Sequence, residues 1–239
     1  MNFAVIVASA RARSGKTLLA RLVAENFILS GRQPAIFDTD AVEAPLVARF
    51  PKDASALNID RVTDQMALFD GLSAPAANSR IVDLSHGAFK KFFDLMLDSD
   101  YVGEARTNGI EPVVFFIGGT DQDALDQAND LRYRIDCPFV FVENAFLGEI
   151  KQSIRGNSEY LALTELPTSI LIPALDPFFM QVIEEPDISL SEFMRDPKLT
   201  MSPDMRAEIR SWLMTTLGEI YRVLSMIEQE RSHSPARRG

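Results

Sequence analysis

Short, uniformly apolar runs alternate with amphipathic stretches along the 239-residue chain. Phe3-Ala4-Val5-Ile6-Val7 reads as a buried strand. After a polar loop, Leu18, Leu19, Leu22, Val23 and Phe27 fall on one face of a helix running from Gly15 to Ser30, and Gly31 is its natural stop. Pro34-Ala35-Ile36-Phe37 is a second strand, ending at Asp38-Thr39-Asp40. Residues 41–79 read as mixed loop and helix, with Met66, Leu68, Phe69 and Leu72 forming a helix before a turn at Pro75. Arg80-Ile81-Val82-Asp83 is a strand, and Phe89, Phe92, Phe93 and Leu97 form the core stripe of the helix after it. Pro112 to Ile117 is apolar throughout, as expected of a strand buried on both faces. A polar helix over 121–134, a strand over 138–142 and another over 169–172 follow. A long amphipathic helix then carries Met205, Ile209, Trp212, Leu213, Leu217, Ile220, Tyr221, Leu224 and Ile227, a stripe expected to pack on the sheet.

At least six strands alternating with helices predict an α/β chain with a doubly wound, mostly parallel sheet flanked by helices. Residues 1–230 are expected to form one domain. The tail over 231–239, with Arg231, Arg237 and Arg238 among Ser and Pro, is expected to be disordered.

Composition narrows the chemistry. A hydrophobic fraction of 46% with 24% charged residues is that of a globular protein. One cysteine, Cys137, excludes an internal disulfide and fits a reducing compartment, so the cytoplasm is the default location. No run approaches the roughly 20 apolar residues of a membrane span. With only His86, His233 and Cys137 available, a zinc site built from His and Cys ligands is not expected, and any metal is expected to be a hard ion held by oxygen ligands and nucleotide. The net charge of −10 argues against nonspecific nucleic-acid binding by a monomer. A dimer assembling a patch from Lys90, Lys91, Arg195 and Lys198 is the remaining route to such binding.

The chemistry-bearing stretch lies between the first strand and the first helix. In Ala8-Ser9-Ala10-Arg11-Ala12-Arg13-Ser14-Gly15-Lys16-Thr17, the ending Gly15-Lys16-Thr17 is that of a phosphate-binding loop. Backbone N–H groups and the helix N-terminus of such a loop converge on phosphate oxygens, its Lys reaches the β/γ-phosphates, and its hydroxyl meets Mg²⁺. The usual pattern wants Gly at position 10, where this chain has Ala10. Asp83, at the end of an apolar strand, is the carboxylate that approaches Mg²⁺ through its water shell. Ser85, His86 and Gly87 begin a loop suited to sensing a γ-phosphate. Asp38 and Asp40 end a strand beside the phosphate loop, where they either serve the site or merely cap the next turn.

These landmarks, in this order, resemble the ParA/MinD group of deviant Walker A ATPases. Its loop reads K-G-G-x-G-K-[ST], with which Arg11-Ala12-Arg13-Ser14-Gly15-Lys16-Thr17 aligns without gaps. Ile36-Phe37-Asp38-Thr39-Asp40, Ile81-Val82-Asp83, Val142-Glu143-Asn144 and Ile172-Pro173-Ala174-Leu175-Asp176 match later landmarks, so the resemblance spans roughly residues 2–195. Within the group, Phe37 to Val42, the Ile172-Pro173 element and the C-terminal helix look most like the TraL-type ATPases of plasmid conjugation regions. The resemblance implies ATP and Mg²⁺ as cofactors. Ala12, Arg13, Ser14, Gly15, Lys16, Thr17 and Leu18 would enclose the phosphates, and Asn144, Pro173, Ala174 and Leu175 would contact adenine. Thr17, Asp40 and Asp83 would serve the metal, and Asp40 or Asp38 would orient the attacking water. It further implies an ATP-dependent homodimer with slow hydrolysis, acting on a protein partner of a plasmid transfer or partition system. The signature Lys that reaches a partner's phosphate is here Arg11, with Arg13 a second candidate. Ala10, Ala12 and Arg13 stand where glycines are usual, so each narrows the loop's φ/ψ choices. Two other functions remain open: a nucleotide-free interaction scaffold, and a small-molecule kinase or ligase of the same superclass, which requires an acceptor pocket.

Overall fold

The computed structural model describes residues 1–75, 78–185, 188–195 and 201–233. Its strands are β1 (Asn2–Ala8), β2 (Ala35–Asp38), β3 (Ala54–Ala56), β4 (Arg80–Asp83), β5 (Ile110–Ile117), β6 (Phe139–Asn144) and β7 (Ile170–Ile172). They form one sheet in the order β3-β2-β4-β1-β5-β6-β7, with every neighbouring pair parallel. The helices are α1 (Lys16–Leu29), α2 (Pro45–Arg49), α3 (Val62–Ser73), α4 (Phe89–Asp98), α5 (Tyr101–Thr107), α6 (Gln122–Arg134), α7 (Gln152–Arg155), α8 (Ser158–Thr164), α9 (Pro177–Glu184), α10 (Leu190–Arg195) and α11 (Pro203–His233).

Side chains alternate across the sheet with period two and build a separate core on each face. Val5, Val7, Val113, Phe115, Val140 and Val142 face α1, α9, α10 and α11. Ile6, Val114, Phe116 and Phe141 face α3 to α6 and α8. Every residue of β5 is buried, as the apolar run from Pro112 to Ile117 requires, and Glu111 is buried with it. Pro112 sits inside that strand, paired with Ala4 of β1, while β6 pairing begins only at Val114. The N–H that proline lacks is thus not asked for by the β6 ladder.

Most predicted elements are present within a residue or two. The mixed segment resolves into α2, β3 and α3, and the short helices α5 and α7 to α10 were not foreseen. Tyr221 is a correction to the helical stripe: it is 60% exposed, whereas Ile209, Trp212, Leu213, Leu217, Ile220, Leu224 and Ile227 are buried. Residues 231–233 continue α11, against the expectation of a disordered tail, and 234–239 lie outside the described residues. Asn26 of α1 donates to the Leu217 carbonyl at 2.9 Å, and Arg231 pairs with Glu111 inside β5, so α11 is fastened at two levels. Lys90 and Lys91 lie on α4 and Arg195 on α10, against opposite faces of the sheet, and Lys198 is outside the described residues. One protomer therefore does not gather the three described cations into a single patch.

Candidate functional site

The C-terminal ends of β1, β2, β4 and β6 converge on the loop from Ser9 to Gly15. Its entry is fixed by the Ser9 hydroxyl, which donates to the Ile117 carbonyl at 2.9 Å and accepts from the Arg11 N–H. Its exit is Gly15, at φ 93°. That left-handed conformation suits glycine, and a Cβ there would lie 2.6 Å from Asn144 Nδ2. Asn144 itself donates from Nδ2 to the Ser14 carbonyl at 2.9 Å and accepts from the Phe146 N–H at 3.1 Å. The asparagine ending β6 thus clamps the loop. Arg13 takes φ 55°, the conformation a glycine at this place adopts freely, at a cost on the order of 1 kcal/mol.

Lys16 and Thr17 open α1. The Lys16 ammonium donates to the carbonyl of Arg11 at 2.9 Å, folding back across the loop. Burial pulls its pKa down, and the nearby Asp83 carboxylate opposes that shift. The Thr17 hydroxyl donates to Asp83 Oδ2 at 2.6 Å. Asp83 Oδ1 is buried and has no hydrogen-bond partner among the described residues. Burial above all raises the Asp83 pKa to about 7, with Asp38 and Asp40 adding to the rise and Thr17 and Lys16 opposing it.

Asp38 and Asp40 do form the turn considered from the sequence. Both oxygens of the fully buried Asp38 are occupied, by the Asp40 N–H and the Leu46 N–H at 3.0 Å each. Burial again raises its pKa, against those two bonds. Asp40 accepts from the Val42 and Glu43 N–H groups through Oδ1 alone and is half-buried, which leaves Oδ2 the freer carboxylate oxygen of the pair. Thr39, between them, was missed. Its hydroxyl donates to the Asp83 carbonyl at 3.0 Å and accepts from the Ser85 N–H at 2.7 Å, tying the ends of β2 and β4 together. Its place inside the D-x-D phrase was the available signal.

The two loop arginines differ. Arg11 is paired with Asp121, the N-cap residue of α6, and both side chains are nearly half exposed. Arg13 is exposed and its side chain meets no partner among the described residues. Ala12 is exposed beside it, and Leu18 packs partly against the α1-side core. The segment expected at adenine is divided: Ala174 is exposed, Leu175 is buried in the core, and the Pro173 carbonyl accepts from Trp212 Nε1 at 2.6 Å. Leu175 can therefore offer a base its backbone rather than its side chain. His86 is exposed at the start of a short 3₁₀ turn beyond Asp83.

Thr17 and Asp83 suit a magnesium ion: a hydroxyl and a carboxylate on adjoining elements, with one carboxylate oxygen buried and unsatisfied. Among the described residues no group of three or more His, Cys, Asp or Glu stands ready for a metal, so the remaining ligands would have to come from phosphate and water.

No protein-family model and no curated protein matches the chain. Among solved structures it is similar to the MinD cell division protein of Aquifex aeolicus, with a TM-score of 0.53 and 14% identity, over 92% of this chain and 97% of that one. It is also similar to a nucleotide-binding protein in complex with ADP from Archaeoglobus fulgidus, with a TM-score of 0.48 and 14% identity, over 79% and 90% of the two chains. At these identities the likeness to MinD is one of architecture: the chain has a MinD-like α/β P-loop NTPase fold.

Proposed function

We propose that the chain is a nucleotide switch that binds ATP with Mg²⁺ at the Ser9–Thr17 loop, dimerises in that state and hydrolyses slowly. The observation that carries this reading is the Thr17 hydroxyl on Asp83 Oδ2, with Oδ1 of the same carboxylate buried and unsatisfied. A protein keeps such a costly group where a ligand completes it. Bound Mg²⁺ supplies neutralisation of the phosphate charge, and Thr17 and Asp83 are the residues that would hold it.

The chain's own residues divide the remaining work. Lys16 exchanges the Arg11 carbonyl for phosphate oxygens, and the N–H groups from Ser14 to Leu18 at the start of α1 donate to the phosphate oxygens. Asn144 keeps the loop in place from behind. Asp40, with its freer oxygen, orients the attacking water, while Asp38 holds the turn that presents it. Arg13 is the loop cation available to a second protomer without breaking an existing pair, whereas Arg11 must first leave Asp121. The dimer presents a surface to a protein partner, and the TraL-like phrases point to a plasmid transfer or partition component. Among the described residues no helix is long and apolar enough to cross a membrane.

Calorimetry with ATP, ADP and GTP, with and without Mg²⁺, tests binding, and light scattering with a non-hydrolysable analogue tests dimerisation. Micromolar, Mg²⁺-dependent binding is expected, weakened about a hundredfold in Lys16→Ala, a loss of about 2.7 kcal/mol. A Lys16→Ala variant that dimerises and hydrolyses like the wild type sinks the proposal. Absence of binding by all three nucleotides leaves the scaffold reading in its place.

A further inference from the structure

The register of β2 on β4 ends with Asp38 opposite Asp83. One further rung follows, in which the Thr39 N–H donates to the Asp83 carbonyl at 3.1 Å. Were the parallel ladder to continue, the next bond would run from the Ser85 N–H to the Thr39 carbonyl. That N–H donates instead to the Thr39 hydroxyl at 2.7 Å, and the hydroxyl donates in turn to the Asp83 carbonyl at 3.0 Å. The side chain stands in for the missing rung while the backbone turns away at Asp40. Thr39 is 5% exposed, and in such surroundings a hydrogen bond is stronger than in water.

Each side of this rung carries a carboxylate of the site. On the β2 side, Ala41, Val42 and Glu43 are exposed, and Ala44 leaves the turn at φ 39°, a left-handed conformation that costs an alanine free energy. The Ala44 N–H donates to the Asp40 carbonyl at 2.9 Å, and Asp38 accepts from the Asp40 and Leu46 N–H groups. Those bonds lie within one stretch of chain, so they give the turn its shape without fastening it to β4. Among the hydrogen bonds of the described residues, the ones that cross from this turn to β4 and its exit are those of Thr39. On the β4 side, the Asp83 carboxylate receives the Thr17 hydroxyl, and Ser85 leads into the short 3₁₀ turn at His86–Ala88.

We propose that Thr39 is a positioning residue whose hydroxyl locks the ends of β2 and β4 into one unit, so that Asp40 keeps its place relative to Asp83 during hydrolysis. The roles of the two carboxylates rest on the nucleotide reading above, whereas the lock rests on the hydrogen bonds alone. Valine keeps the shape of Thr39 and lacks the hydroxyl; serine keeps the hydroxyl. Without it the Ser85 N–H loses its acceptor, and the Thr39 N–H is left as the turn's tie to β4. The phosphates are gripped by Lys16 and the N–H groups from Ser14 to Leu18, with which Thr39 makes no hydrogen bond among the described residues. Loss of the lock therefore slows hydrolysis and spares binding.

Hydrogen exchange of the full chain without nucleotide, read amide by amide, tests the lock apart from the nucleotide reading. Thr39→Val is expected to exchange about tenfold faster at Ser85 and, across the rung, at Asp40 and Ala44, while Thr39→Ser follows the wild type. Ser85→Pro removes the same bond from its donor side, at a φ of −59° that proline adopts, and is expected to reproduce the change at Asp40 and Ala44. It takes the place of Thr39→Val should that variant not fold. With Mg²⁺ and ATP, Thr39→Val is expected to bind within about twofold of the wild type and to hydrolyse about tenfold more slowly, and Thr39→Ser to recover the rate. The proposal is overturned if Asp40 and Ala44 exchange as in the wild type in the folded variants, if Thr39→Val hydrolyses as fast as the wild type or loses binding as much as rate, or if Thr39→Ser behaves like Thr39→Val. A wild type that binds no nucleotide overturns the nucleotide reading instead, and the exchange of Asp40 and Ala44 still decides the lock.

Discussion

Two carboxylates, two strands apart in the same sheet, are buried to a similar degree and treated in opposite ways. Glu111, near the N-terminal end of β5, receives Arg106 from α5 through Nε and Nη2 at 3.3 and 3.0 Å and Arg231 from α11, so its charge is answered on both sides. Asp83, at the C-terminal end of β4, has one hydroxyl and an empty lone-pair edge, and its pKa climbs to about 7. Burying an unpaired charge costs free energy, and pairing it recovers most of that cost. The N-terminal edge of the sheet is therefore finished for stability, while the C-terminal edge carries an unpaid charge that a ligand can relieve.

That contrast fails if the two sites respond alike to losing their charge. Glu111→Ala strands two partly exposed guanidinium groups and opens the anchor of α11, for an expected loss of about 3 kcal/mol, or roughly 6–12 °C in melting temperature. Hydrogen exchange should quicken in the last turns of α11 rather than at the phosphate loop. An unchanged melt would show that the pairing is ornamental.

Asp83→Asn should act with the opposite sign. The folded-state pKa of about 7 lies above the ordinary 3.8. Between those values the folded chain keeps a proton that the unfolded chain has lost, so wild-type stability falls as pH rises from about 4 to about 7. Asparagine removes that fall and stabilises the chain at pH 8 by on the order of 2 kcal/mol, while Mg²⁺-dependent nucleotide binding is lost. Denaturant melts of both proteins from pH 4 to pH 8 give the two slopes. Parallel curves would show that the Asp83 charge costs the fold nothing.

The smallest effect belongs to the loop backbone. Arg13→Gly relieves a side chain held at φ 55° and is expected to add about 1 kcal/mol, or roughly 2–4 °C, less the entropy that glycine gives the unfolded chain. A drop in melting temperature would mean that Arg13 makes a contact its exposure conceals.

Legibility in the sequence followed the reach of each signal. The strands of both cores were readable because a run such as Val113 to Ile117 has few other places to go, and Gly15-Lys16-Thr17 because local chain geometry makes the site. Residues 41–79 were poorly readable, since β3 is three residues long and exists by pairing with β2, a contact that no local period encodes. Asp38 and Asp40 were readable as neighbours of the loop, but their division of labour depends on where the N–H groups of Leu46, Val42 and Glu43 arrive. Tyr221 followed the helical period and still faces outward, because period gives a face but not its width. Asp121 carried no sign of Arg11, more than a hundred residues away in the chain.

The hydrogen bond from Trp212 to the Pro173 carbonyl has a practical meaning. Trp212 is the only tryptophan of the chain, it is 5% exposed, and its indole N–H is held by the segment expected at the nucleotide base. Indole emission responds to the polarity and hydrogen bonding around that N–H. The molecule thus carries its own optical gauge, in which a shift of the Pro173 backbone changes the colour of the fluorescence without any label, and stopped-flow mixing can time the movement as it happens.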